Sequence, residues 1–217
     1  MFKKLLAGIK NAFATDPEDM EVEELVALVA DRGTAESRRR AGAEALRGLS
    51  DVIGDLEDGQ KGPISERAYT TLTQLVERGD EPEWVVEGAI RGMNEIVNVG
   101  RYDMNAATIE GSVDLLIAQL AAQHDGQTRG AACGALSSVD DVVSDEAALR
   151  SMHAIAEIMR SSSGELRADA IFSLGCFDSE RSAGLWDEVA AHLGDASLEV
   201  RTSTSSALQM IGNDAPP

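Results

Sequence analysis

The sequence predicts an all-α fold built from repeated helix pairs. The first observation is a pattern that recurs five times, in which small or apolar residues stand 3, 6, 7 and 10 positions after a starting residue. The starting residues are Arg39, Glu83, Arg129, Arg167 and Arg201. These offsets place the apolar residues on one stripe of a helix. No segment sustains the alternation of apolar and polar residues that is typical of a strand.

The second observation is the spacing of the copies, which begin 44, 46, 38 and 34 residues apart. Helical repeat arrays show spacings in this range. A further helical segment precedes each copy, at Val22–Ala30, Ile64–Val76, Ile109–Ala122, Ala147–Met159 and Leu185–Leu193. Because one pair cannot bury its own stripe, neighbouring pairs must stack. We therefore predict a right-handed α-solenoid of about five pairs over residues 20–212, followed by a disordered tail at 213–217.

The segments between the helices fit this arrangement. Short stretches rich in Gly, Asp and Ser join the helices of the later pairs, at Asp125-Gly126, 161–164 and Gly194-Asp195. Longer connections are expected at 55–63 and 99–106. Pro63 and Pro82 are expected near helix starts, where the missing N–H costs little.

Two segments carry a resemblance to a known family. Glu199-Val200-Arg201 is followed by Ala207-Leu208, and Glu165-Leu166-Arg167 is followed by Ser173-Leu174. Both resemble the second helix of HEAT-like repeats, in the short form of the phycobilisome-lyase-type HEAT proteins. The family includes scaffolds, chaperone-like lyase subunits and a few enzymes. The resemblance implies that Arg39, Arg129, Arg167 and Arg201 bond to neighbouring loops, whereas Glu83 breaks that pattern in the second repeat.

Composition limits the function classes. The chain carries 38 acidic against 19 basic residues, a net charge of −19, which argues against a general nucleic-acid binder. Abundant carboxylates and only 4 lysines favour a halophilic source, because salt screens the self-repulsion of such a chain. We expect Cys133 and Cys176 to be buried free thiols in a cytoplasmic protein. No apolar run is long enough to span a bilayer, and the N-terminus does not resemble a secretory signal.

No catalytic pattern stands out. His124, His153 and His192 lie outside any HExxH motif, so the iron-dependent enzymes among HEAT-like proteins are not indicated. The serine run at 161–163 has no G-x-S-x-G context, and no phosphate-binding loop is present. We expect no enzyme activity, no metal and no cofactor.

The first candidate interaction site is a basic amphipathic helix over residues 1–15. Its apolar residues share one arc of a helical wheel, and three lysines occupy the remainder. These residues are Phe2, Leu5, Leu6, Ile9 and Phe13 on the arc, with Lys3, Lys4 and Lys10 beside it. Such a helix covers the open end of the first repeat, docks on a partner or lies on a membrane surface.

The second candidate site is the outward stripe at offsets 1, 5, 8 and 12, which lines the concave surface in HEAT-like arrays. Trp84 and Phe172 stand on it in a chain with only 4% aromatic residues, and Trp and Arg dominate interface hot spots. We expect Trp84, Arg40, Arg47, Arg91 and Phe172 to bind another protein, beside a shallow groove of small residues. The alternative is that Trp84 and Phe172 pack on neighbouring helices.

We therefore predict a non-enzymatic scaffold or adaptor that binds protein rather than nucleic acid. A lyase-type or chaperone-like accessory subunit is the first alternative. The second is an adaptor held at a membrane surface by residues 2–13.

The acidic composition generates a prediction about salt. If carboxylate repulsion limits the stability of the folded chain, its melting temperature should rise as salt increases from dilute to molar concentration, because screening weakens that repulsion. Thermal unfolding followed by circular dichroism measures this. A melting temperature that is flat or falls over that range would indicate an ordinary acidic protein.

Overall fold

The structure is a computed structural model that describes residues 20–100 and 103–214. Within these ranges the chain is all-α and contains no strand. It divides into two compact units, the first ending at Met104 and the second beginning at Asn105. The predicted helix at 1–15 lies outside the described residues. The last helix continues to Asp214, so the part of the predicted tail at 213–214 is helical.

Unit 1 contains two helix pairs. Its elements are α1 (Val22–Ala30), α2 (Glu36–Ala45), a 3-10 turn (Leu46–Gly48), α3 (Leu49–Gly54), α4 (Asp58–Glu77) and α5 (Glu83–Gly100). The first helices of the two pairs, α1 and α4, pack on each other. The second helices also pack together, because α5 contacts α2, the 3-10 turn and α3. This is the two-layer packing of a helical repeat.

Unit 2 repeats the same packing over three helix pairs. Its elements are α6 (Ala106–Glu110), α7 (Val113–Ala118), α8 (Gly126–Ser138), α9 (Asp145–Ser161), α10 (Gly164–Gly175), α11 (Ser179–Ser182), a 3-10 turn (Ala183–Leu185), α12 (Trp186–Ala191), a second 3-10 turn (His192–Gly194) and α13 (Leu198–Asp214). The second helices α8, α10 and α13 pack in succession. The first helices α7 and α9 also contact each other.

The predicted apolar stripe forms the core of both units. All of its residues are buried except Ala45 and Leu208, which are half-buried, and Ile211, which lies beyond the described side chains. Leu46 and Leu136 are fully buried. Each such side chain stabilises the fold by roughly 1.5–3 kcal/mol. The offsets predicted this core correctly because they are a property of a single helix.

Side-chain caps start several helices where the sequence indicated loops. The Asp125 carboxylate accepts a hydrogen bond from the Thr128 N–H at 2.7 Å and begins α8. Asn105 accepts from the Ala107 N–H at 3.0 Å and begins α6. A cap of this kind satisfies a backbone donor that has no partner within the helix.

Three segments differ from expectation. The connection predicted at 55–63 is largely helical, because α4 begins at Asp58 and contains Pro63. The helix predicted at Leu185–Leu193 is α-helical only over Trp186–Ala191, with a 3-10 turn on either side. The helix predicted at Ile109–Ala122 is interrupted between Glu110 and Val113. Gly111 stands at that interruption, and glycine weakens a helix interior.

Two glycines on the predicted outward stripe are points of close helix contact. A Cβ atom on Gly88 of α5 would stand 2.8 Å from the Cβ of Ala43 in α2. A Cβ on Gly175 of α10 would stand 2.6 Å from the Cα of Ala207 in α13. Both glycines are buried. At these positions the small residues allow second helices to approach, and they do not line an open groove.

This contact generates a prediction with a matched control. Gly175→Ala should lower the free energy of unfolding, because overpacking against backbone costs roughly 1–3 kcal/mol, more than the gain in helix propensity. Gly134→Ala in α8 should instead raise it by about 0.5–1 kcal/mol, since nothing lies within 4 Å of the added Cβ. Urea unfolding measures both. Equal effects of the two substitutions would contradict the close contact at Gly175.

Candidate functional site

Three of the four repeat arginines bond to the last turn of the preceding helix or to the turn that directly follows it. The Nε of Arg39 donates to the Val29 carbonyl at 2.6 Å. Arg129 donates to the Leu120 carbonyl at 3.0 Å and Arg167 to the Met159 carbonyl at 3.2 Å, again through Nε. Carbonyls at a helix C-terminus lack partners within the helix, and a cation there is also favoured by the helix dipole.

Arg201 makes the loop contact that the resemblance implied. Its Nη1 donates to the carbonyls of Asp195 and Ala196, at 2.8 and 3.0 Å. These carbonyls lie in the connection between the second 3-10 turn and α13. Arg39, Arg129 and Arg167 therefore join the two helices of a pair, and Arg201 joins its helix to the preceding connection.

In two repeats the arginine also pairs with a carboxylate that stands just before the second helix of the following pair. Arg39 pairs with Glu81 at 2.7 Å, ahead of α5, and Arg167 pairs with Asp195 at 2.7 Å, ahead of α13. The Ser197 N–H and the Arg167 guanidinium lower the pKa of Asp195. Each carboxylate thus ties one helix pair to the next.

Glu81 is the most enclosed of these acids. Its side chain is 1% exposed and accepts from Arg32 at 2.8 Å, Arg39 at 2.7 Å and Arg78 at 3.3 Å. Burial acts to raise the pKa of Glu81, but the hydrogen bonds from Arg39 and Arg32 outweigh it and lower the pKa below its usual value of 4.5. Sequence reasoning missed this residue. The sequence did contain a signal, because an acid stands shortly before the patterned helix in this repeat and again, as Asp195, in the last one.

Trp84 at the start of α5 stacks with the guanidinium of Arg40 from α2. The Arg40 Cζ stands 4.6 Å from the centroid of the Trp84 ring, and the Cζ of Arg39 stands 5.9 Å from it. Trp84 is half-buried and Arg40 is exposed. The stack borders a cleft of about 400 Å³, lined by Arg32, Thr34, Glu36, Arg39, Pro82 and Trp84. The proposed binding residues Arg40 and Trp84 are therefore in contact.

Arg47 and Arg91 meet on a shared carboxylate. Both donate to Glu87 Oε1, at 2.8 and 2.6 Å, and Arg47 also pairs with Glu44 at 2.9 Å. The sequence did not identify Glu87, whose role depends on the distance between α5 and the 3-10 turn. We call Arg40, Arg47, Trp84, Glu87 and Arg91 the arginine–tryptophan face.

The other proposed residues are placed differently. Phe172 belongs to α10 of unit 2 and is 47% exposed, whereas the arginine–tryptophan face belongs to unit 1. Ser137 and Ala168, expected in a shallow groove, are buried. That expectation is corrected, because close packing of second helices encloses these small side chains. The eight proposed residues of the N-terminal helix, from Phe2 to Phe13, lie outside the described residues.

The cysteines and acids give no sign of metal chemistry in the described ranges. Burial, with the nearby Asp169 charge, raises the pKa of Cys133 to about 12. Cys176 is exposed, which corrects the expectation that both thiols are buried. Among residues 20–100 and 103–214, no cluster of His, Cys, Asp and Glu has the composition of a metal site. No helix in the same ranges is long and apolar enough to cross a bilayer.

Comparison with known proteins supports the fold alone. No family model and no curated protein matches the chain. The structure is similar to the crystal structure of an engineered protein from the Northeast Structural Genomics Consortium, with a TM-score of 0.59 and 18% sequence identity. The similarity covers 89% of this chain and 80% of that one.

The Glu81 cluster predicts a specific pH dependence. Glu81→Gln should lower the free energy of unfolding by about 3 kcal/mol at neutral pH, because it leaves the buried guanidinium group of Arg39 without its anion. A lowered folded-state pKa contributes stability above the unfolded pKa and loses it as pH falls. The difference from wild type should therefore shrink below about pH 4.5. Urea unfolding at several pH values measures it.

The matched control is Glu44→Gln, since Glu44 pairs with Arg47 but is 67% exposed. An exposed pair contributes about 1 kcal/mol or less. If Glu81→Gln and Glu44→Gln have equal effects, or if the Glu81→Gln difference does not change with pH, the Glu81 cluster does not stabilise unit 1 as described.

Proposed function

We propose that this protein is a non-enzymatic adaptor that binds another protein through the arginine–tryptophan face. The carrying observation is the stack of Arg40 on Trp84 at the surface of unit 1. Arg and Trp are the residue types most enriched among residues that dominate binding energy. The expected partner is a protein and not a nucleic acid, in keeping with the net charge of −19.

The face is preorganised, which favours binding. Arg40 is held over the ring by a cation–π contact, and Arg47 and Arg91 are held by Glu87. A side chain that is already ordered loses less conformational entropy when a partner binds. Arg47 remains 43% exposed and Arg91 33% exposed, so both guanidinium groups retain surface for a partner.

The proposed scaffold is a right-handed HEAT-like solenoid of about five helix pairs, from a halophilic source. Three features support the solenoid: the repeat spacing, the two-layer packing within each unit, and the arginine bonds between paired helices. Ion pairs also join first helices of successive pairs, Glu23 to Arg67 at 2.7 Å in unit 1 and Arg160 to Glu188 at 2.7 Å in unit 2. The acidic composition supports the halophilic source.

The test begins with photo-crosslinking in cells. A benzophenone amino acid at the exposed position 37, one helical turn before Arg40, should capture a discrete protein while Trp84 stays in place, and the same group at position 186 serves as the control. Trp186 is the other tryptophan of the chain and is also half-buried. The captured protein is then purified, and its affinity is measured against full-length variants.

We expect Trp84→Ala to weaken that affinity by roughly 30-fold, the equivalent of about 2 kcal/mol for a hot-spot residue. Trp186→Ala should leave it unchanged. Melting curves of both variants separate lost binding from lost folding. Unchanged affinity of a folded Trp84→Ala protein would show that the arginine–tryptophan face is not the binding surface.

A further inference from the structure

A second surface of unit 1 leaves several apolar side chains partly exposed to solvent. A groove of about 480 Å³ lies where the start of α1, the end of α3 and the first half of α4 meet. Its apolar lining comes from Val22, Val52, Leu56, Pro63 and Ile64. Val52, Leu56 and Ile64 are half-buried and Pro63 is exposed. We call this surface the α1–α4 groove. It shares no residue with the arginine–tryptophan face.

Carboxylates border the groove, since Glu21 and Glu23 belong to its lining. Further exposed acids stand close in sequence to the lining, with Glu24 in α1 and Asp51, Asp55 and Glu57 around the end of α3. The basic Arg67 of the lining is already paired with Glu23 at 2.7 Å. An occupant with an apolar side and flanking positive charges would therefore match both the lining and its rim.

The chain itself carries such a segment close by. Residues 2–13 place five large apolar residues on one helical arc and contain three of the four lysines of the chain. The described chain begins at Met20, which is buried, and continues directly into Glu21 and Val22 of the groove lining. Residues 14–19 extend at most about 20 Å. They hold the segment near the groove at high effective concentration.

We propose that residues 2–13 form a helix that binds the α1–α4 groove of the same chain. Leu6 and Ile9 enter the apolar lining, and Lys3, Lys4 and Lys10 face the surrounding carboxylates. The contact covers the partly exposed apolar side chains at the junction of the two helix pairs of unit 1. This inference is independent of the proposed adaptor function.

The experiment uses the full chain with a nitroxide spin label. The label is attached to Asn11→Cys, on the side of the helical wheel opposite the apolar arc, in a chain whose exposed Cys176 is replaced by Ser. Methyl spectra report which side chains lie near the label. We expect strong broadening of the Val52, Leu56 and Ile64 methyl signals.

Two variants of the labelled chain act as controls. Leu6→Glu with Ile9→Glu should abolish the broadening and lower the melting temperature, because the apolar face is lost. Replacing all three lysines, Lys3, Lys4 and Lys10, by glutamate should weaken the broadening in dilute salt. Molar salt should reduce the difference between this variant and the unsubstituted labelled chain. Broadening that is absent in the unsubstituted labelled chain would overturn the proposal. Absent broadening together with binding of the segment to anionic lipid vesicles would assign residues 2–13 to a membrane surface instead.

Discussion

The hydrogen bond from a repeat arginine to the end of the preceding helix is the interaction on which the rest of the structure depends. Arg39, Arg129 and Arg167 each make it through Nε, which leaves the two terminal Nη nitrogens for other partners. In Arg39 and Arg167 those nitrogens reach an acid before the next second helix. One side chain thereby fixes the two helices of a pair and connects that pair to its neighbour. Burial of the apolar stripe then follows, because the stripe of one helix is covered only when neighbouring pairs stack.

This use of arginine also explains the surface. Several of the chain's few basic residues are engaged within or between repeats, so the remaining surface is dominated by carboxylates. Against that background the stack of Arg40 on Trp84 is unusual, since it presents an ordered cation and a large ring together. The exposed ion pairs, such as Glu36 with Arg40, contribute little to stability. Their effect is to hold guanidinium groups in fixed positions at the surface of unit 1.

The sequence predicted features that are local to one helix and missed those that depend on distances between helices. The stripe was predicted because its period belongs to a single helix. The common offset of Arg40 and Trp84 also placed them on one face, although not in contact. Glu81 and Glu87 were missed because their partners come from other elements. Gly88 and Gly175 were misassigned, since a small residue gives the same pattern whether it lines a groove or admits a neighbouring helix.

The central claim is that Arg39 and Arg167 couple the helices of one pair to the next. Hydrogen exchange on full-length Arg167→Met, compared with wild type, tests it most directly. The account predicts faster amide exchange at two separate places, the last turn of α9 around Met159 and the start of α13 after Asp195, because Arg167 bonds to both. Unchanged protection at both places in the folded variant would contradict it.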